Sequence, residues 1–207
     1  MKEHQMINLQ GKLDRKVYVA FSGGIDSVSA VDFLSRSHEV VLVFFHHGNE
    51  YADVEYDFVK KFAIENSLEL ICGFNKDTPK KGQSLEEFWR NARYKFFFSL
   101  NVQIITCHHL DDCVETWVWS SSHGGGKLIP YYNRTVYRPF RLTQKEDFVY
   151  WATKNNLKWL EDESNKDEKF IRNYIRHTLL PAIRVVNPGI SKVIAKKIRA
   201  DKYNEQI

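Results

Sequence analysis

Four near-continuous apolar runs of strand length, each followed by a segment of helical period, set the strongest limit on the fold. "VYVAF" (17–21), "VVLVFF" (40–45), "LELIC" (68–72) and "VQIITC" (102–107) read as strands. Between them, Val54, Phe58, Val59, Phe62 and Ala63 form one helical stripe after Asp53. A second helix opens with a capping box from Ser84 to Glu87 and carries Leu85, Phe88, Trp89, Ala92 and Phe96 on its apolar side. A third starts near Asp111. Strands that are apolar throughout must be covered on both faces, so the pattern implies a doubly wound, mostly parallel α/β sheet. Ligands of such sheets bind beyond the carboxyl ends of the strands. Three of the four runs end there in polar residues: Ser22, the pair His46 and His47, and the pair His108 and His109. From Thr143 the pattern turns helical, with a capping box from Thr143 to Glu146, then "DFVYWATKN", then helices past Glu168. We expect an α/β domain over residues 1–142 and a helical extension over 143–207 packed on it.

The first strand runs into "SGGIDS" (22–27) and a helix. Gly23 and Gly24 allow a tight turn and close approach of a ligand to the backbone. Ser22, Ser27 and the unpaired N–H groups of the helix start then form an anion site. The Gly-Lys-Ser/Thr of the Walker turn is absent. Asp26 would repel a phosphate unless a cation lies between them, and Mg²⁺ bridging the two resolves the conflict. A glycine turn with a capping serine and no ligand is the bland alternative.

Three further stretches carry charge in a pattern. In "HHLDDCVET" (108–116), Asp111, Asp112 and Glu115 share a helix face and can hold Mg²⁺ or an ammonium group. Helix-start acids explain the two aspartates equally well, but not the paired histidines. In "SLEEFWRNARY" (84–94), Glu86, Arg90 and Arg93 fall at i, i+4 and i+7, able to reach phosphates or to form an exposed pair. In "IRNYIRH", Arg172, Asn173 and Arg176 suit phosphate or base contacts, or a solvated surface.

The net charge of +4 tilts the chain toward polyanions, and "KKIRADK" gathers positive charge near its end. There is no run of about 18 apolar residues, so no membrane span is expected. The amino-terminal stretch has no apolar secretory core, and three cysteines without CxxC spacing suit a reduced, cytoplasmic setting.

Taken in order, "SGGIDS", the "E…R..RY" helix, "HHLDDCVET", "YRPF" (137–140), "LEDESN" (160–165) and "F.RNYIRH..LP" resemble the tRNA(Ile)-lysidine synthetase family. The likeness is to its catalytic domain, a branch of the PP-loop ATP pyrophosphatases, and covers roughly Lys16 to Pro188. It implies a ligase that splits ATP between its α and β phosphates. The C2 oxygen of the first anticodon cytidine of tRNA(Ile), anticodon CAU, would be adenylated; free L-lysine would then attack C2 and expel AMP. It further implies that Ser22, Gly23, Gly24 and Ser27 cradle phosphates, that Asp26 holds Mg²⁺, and that Ala20 and His46 border the adenine. His109, Asp112 and Glu115 would line the lysine and cytidine side, with Arg93 in the catalytic group. Arg90, Arg172, Asn173 and Arg176 would meet tRNA or triphosphate charge.

The chain departs from the family at "HHGNEYAD" in place of "HGLR", at His123 in place of an arginine, and at Cys113 in place of a glutamine. Family members carry further C-terminal domains; a compact, virus- or plasmid-borne form would select tRNA through fewer contacts, a homodimer or the basic tail. The missing CxxC pair argues against the thiolating branch. Two rivals stay open: adenylation of a different nucleobase or small molecule, and an RNA-binding homologue without turnover.

Overall fold

The computed structural model describes residues 6–161 and 171–201. Its centre is a six-stranded sheet in the order β3-β2-β1-β4-β6-β5. The strands are β1 (Lys16–Ala20), β2 (Glu39–His46), β3 (Glu69–Phe74), β4 (Ile104–Ile105), β5 (Tyr132–Asn133) and β6 (Val136–Tyr137). β1 pairs in parallel with β2 from Lys16 opposite Glu39 to Ala20 opposite Val43, and with β4 on its other side. The helices are α1 (Ile25–Ser35), α2 (Glu50–Glu65), α3 (Leu85–Ser99), α4 (Leu110–Ser122) and α5 (Lys145–Lys154). They are followed by α6 (Ile171–Tyr174), a π-helical turn Ile175–Leu179, α7 (Leu180–Val186) and α8 (Ile190–Ala200).

Both faces of the sheet are covered, as its all-apolar strands require. Along β1, Val17 and Val19 enter a core with Val28, Leu34, Phe140 and Phe148, while Tyr18 and Ala20 pack toward Val43, Phe97 and Ile104. The chain runs outward from β1 to β2 and β3, then returns to lay β4 on the other side of β1. That reversal opens a crevice between the carboxyl ends of β1 and β4, where sheets of this kind bind ligands. The glycine turn leaves β1 at that point, and "HHLDD" leaves β4 beside it. A separate core joins Val114 and Val118 of α4 to Ile175, Ile190, Ile194 and Ile198.

Several local expectations shift. The two-residue β5 and β6 were not expected, because so short a pair shows no alternation. In α2 the buried residues are Ala52, Val59 and Ala63, and Val54 is exposed; in α3 they are Phe88, Tyr94 and Phe97, and Leu85 is exposed. Ser84 holds the N-cap position of α3 but makes no side-chain cap bond. The box expected from Thr143 to Glu146 moves one residue on, to Gln144 and Asp147. Thr143 is drawn elsewhere: its hydroxyl donates to the Asn8 carbonyl and accepts the Asn8 N–H, each at 2.9 Å. In "YRPF", Arg138 is buried and donates to the Pro130 carbonyl and the Tyr94 hydroxyl. Of "LEDESN", Ser164 and its neighbours lie outside the described residues, as does Glu168. Among the described residues no helix is long and apolar enough to cross a membrane.

Candidate active site

The turn after β1 is shaped by Gly23, whose φ of +80° is the left-handed region that favours glycine. A Cβ built there would come within 2.7 Å of the Phe58 ring, so shape and space both select glycine. The Gly23 carbonyl accepts the Leu160 N–H at 2.9 Å. Ser27 donates its hydroxyl to the Gly24 carbonyl (2.9 Å) and accepts the Ser22 N–H (3.4 Å), which closes the turn on itself. Gly24 caps α1 without a side-chain bond, so the first amides of the helix are open to an anion. Gly23→Ala is therefore expected to cost about 2–3 kcal/mol from left-handed strain and the Phe58 contact. Thermal melting checks the cost, and polyphosphate binding should fall with it.

Asp26 stands in the first turn of α1. Its Oδ1 accepts from Lys145 Nζ at 2.6 Å, and its Oδ2 is 3.8 Å from His109 Nε2. His109 is the N-cap of α4: its Nδ1 accepts the Asp112 N–H at 3.4 Å, and Asp112 Oδ2 accepts the His109 N–H at 3.0 Å. Burial would raise the Asp112 carboxyl, yet His109, His108, Arg172 and that N–H together hold it well below the usual carboxylate range. Glu115, only 2% exposed, is gripped bidentately by Arg176 (2.6 and 3.0 Å) with Arg172 at 3.7 Å. Burial raises its pKa, against the pull of the Arg176 hydrogen bonds.

A cavity of about 280 Å³ lies between these groups. Ala20, Ser22, Gly24, Asp26 and Ser27 line one side; Arg93, Asp112 and Arg172 line another. A second cavity of about 490 Å³ is lined by Arg90, Glu115, Trp119 and Ile175, and shares His108 and Arg172 with the first. Most of the expected residues thus line two adjoining chambers. Gly23 and His109 line neither: the glycine is buried in the turn and the histidine sits behind Asp26. Arg176 reaches the second chamber only through Glu115, and Asn173 is buried away from both.

His46 does not line the first chamber; His47 does. His46 accepts the Gly48 N–H at Nδ1 (3.1 Å) and meets Asp53 Oδ1 through Nε2 (3.0 Å), with its ring stacked on Phe74. His47 follows the last residue of β2 and its ring packs with Phe45, whereas the His46 ring packs with Phe44. Burial, with the charges of Arg93 and His46, lowers the His47 pKa to about 4. A histidine whose folded pKa lies below its unfolded value of about 6.5 makes the fold more stable as pH rises through that window. Melting temperature should therefore fall from pH 6.5 toward pH 4, and His47→Gln should flatten the profile. His47 and His108 stand at the strand ends where polar residues were expected, each as one of a pair with no role of its own. Lys145 and Trp119 carried no expectation, and the lysine has no local signature.

The chamber suits a polyphosphate: open helix-start amides, a glycine cradle and the Arg93 and Arg172 cations face one space. Among the described residues no group of three or more His, Cys, Asp or Glu side chains could enclose a metal by itself. Mg²⁺ bound by one carboxylate and substrate phosphates needs no such cage, and Asp26 fits that mode.

A glycine turn at the switch point of a mostly parallel sheet, beside a chamber lined by Arg93 and Arg172 and by Asp26, Glu55 and Asp112, defines an α/β protein of the phosphate-turn class. The chain belongs to the PP-loop domain family, whose model matches residues 1–183. It is similar to the tRNA(Ile)-lysidine synthase of Vibrio parahaemolyticus, 32% identical over 92% of this chain and 48% of the relative. Similarity to the enzyme of the same name from Haemophilus ducreyi is 30%, over 92% and 47%. The chain thus spans about half the length of the curated relatives it matches. Among solved structures it resembles the U34-tRNA thiolase NcsA from Methanococcus maripaludis with its 4Fe-4S cluster. The TM-score is 0.74 at 16% identity, covering 91% of this chain and 73% of that one, a likeness of fold.

Proposed function

We propose that this domain is the catalytic part of a tRNA-modifying ligase that activates the C2 oxygen of the first anticodon cytidine of tRNA(Ile) and joins free lysine to C2. The observation that carries the reading is the pair of chambers sharing His108 and Arg172. The first has the groups for a nucleotide triphosphate; the second, mostly apolar with acids and arginines in its lining, is large enough for a flipped pyrimidine.

When bound, ATP supplies the adenylyl group and Mg²⁺ neutralises charge on the leaving pyrophosphate. The chain's residues do the rest. The amides after Gly24 and the Ser22–Ser27 turn hold the leaving group, and Arg93 and Arg172 meet charge that builds during the transfer. The lysine ε-ammonium must lose a proton before attack. Glu115, made more basic by burial, borders the second chamber and accepts it. The exposed Lys192, Lys196, Lys197 and Arg199 of α8 suit the phosphate backbone of the tRNA. A cytoplasmic setting and selection by a homodimer or this basic face belong to the same reading.

Sulfur transfer fits these residues poorly. Of the free thiols Cys72, Cys107 and Cys113, only Cys107 lines either chamber, and burial holds it far above the usual thiol range. The test is radiolabelled lysine with ATP and a panel of tRNAs, followed by nucleoside analysis. Lysidine formed only on the CAU isoleucine tRNA supports the proposal. ATP consumption with a small molecule and no RNA, or RNA binding without pyrophosphate release, overturns it in favour of one of the two rivals.

A further inference from the structure

The glycine turn carries no lysine, yet an ammonium group from outside the lining of the first chamber reaches Asp26 in the helix start that follows it. Lys145 Nζ lies 2.6 Å from Asp26 Oδ1, brought from 119 residues downstream. The same interval recurs along the whole face. Ser29 donates to the Phe148 carbonyl, the Trp151 indole donates to Asp32, and Arg36 donates to Asn155, each pair again 119 apart. A constant interval means that α1 and α5 run parallel in fixed register, with their amino ends together. Both helix starts, each carrying partial positive charge, meet at the phosphate turn. The α5 end is pinned a second time, by the Lys145 N–H donating to Asp111 Oδ2 at 3.0 Å.

This register fixes where Lys145 sits, but the ion pair itself is no strut. Its side chains are 30% and 39% exposed, and such pairs add little stability. A partly solvated carboxylate holding a partly solvated lysine is readily exchanged when a stronger anion arrives. Lysine, a compact charge with three donors on a flexible stem, suits a polyphosphate.

We propose that Lys145 is the phosphate-binding lysine of this site, held ready by Asp26 and transferred to the β or γ phosphate when a nucleotide triphosphate binds. The inference rests on the nucleotide reading of the first chamber and adds a residue to it. Calorimetry of the full chain with Mg²⁺ and, in turn, inorganic pyrophosphate, ATP and AMP tests it. Lys145→Met should weaken pyrophosphate and ATP binding by roughly tenfold or more while AMP binding stays within about twofold, and Lys145→Arg should restore most of the loss.

Equal weakening of all three ligands, with a lowered melting temperature, would mean a structural role and overturn the proposal. So would recovery of pyrophosphate binding in Asp26→Asn/Lys145→Met, since Lys145 would then only mask Asp26. Wild-type protein that binds neither pyrophosphate nor ATP sinks both this inference and the nucleotide reading. Wild-type binding that Lys145→Met leaves unchanged sinks the inference alone. Lysine-dependent pyrophosphate binding without tRNA turnover upholds the inference and sinks the ligase reading.

Discussion

Asp26→Asn should lower tRNA-dependent pyrophosphate release from ATP by about 10²–10³-fold while leaving the fold intact. The carboxylate stands in the first turn of α1, lines the first chamber and contacts Lys145 and the edge of His109. It is the carboxylate of the glycine turn itself, where a cation must mediate between acid and phosphate. Its side chain is 30% exposed and that of Lys145 39%, so the ammonium left behind keeps access to water. Melting temperature should shift by no more than a few degrees. The measurement is single-turnover pyrophosphate release alongside a thermal melt. Near-normal release would remove Asp26 from the chemistry.

Glu115→Ala has a different profile: lysine incorporation should vanish and stability should drop as well. Glu115 is buried on α4 and binds Arg176 in the π-helical turn, so it ties that turn to the acid helix. Removing one member of a fully buried pair costs about 3–5 kcal/mol. Arg176 keeps 35% of its surface, so water relieves part of the penalty, and about 2–3 kcal/mol is expected. Glu115→Gln separates the two effects. It keeps the shape and some of the hydrogen bonding but cannot take a proton, so it should melt closer to wild type yet fail to incorporate lysine. Normal incorporation by Glu115→Gln would show that the charge of Glu115 serves only to hold Arg176.

The sequence made the sheet legible because four strands of the kind found between two helix layers cannot be mistaken for surface structure. It also placed Ser22, Asp26 and Asp112 on one edge, since each follows a strand that must end there. Parity was harder to read. At the end of a strand that is apolar on both sides, nothing local says whether His46 or His47 lines the chamber. In the structure Phe44 and His46 pack with Tyr56, while Phe45 and His47 pack with Phe96 and Trp89. The helix stripes shifted for a similar reason, because spacing gives a face but not its neighbour. Lys145 was invisible for a third reason. Its local setting is an ordinary helix start, and its role comes from the pairing of two helices far apart in the chain.

That pairing has an evolutionary corollary. Four matched contacts fasten α1 to α5, so the geometry of the ammonium is insulated from whatever lengthens or shortens the surface connections between them. Insertions there can accumulate without detuning the anion cradle, whereas a slip of one residue along the helical seam would displace every contact at once.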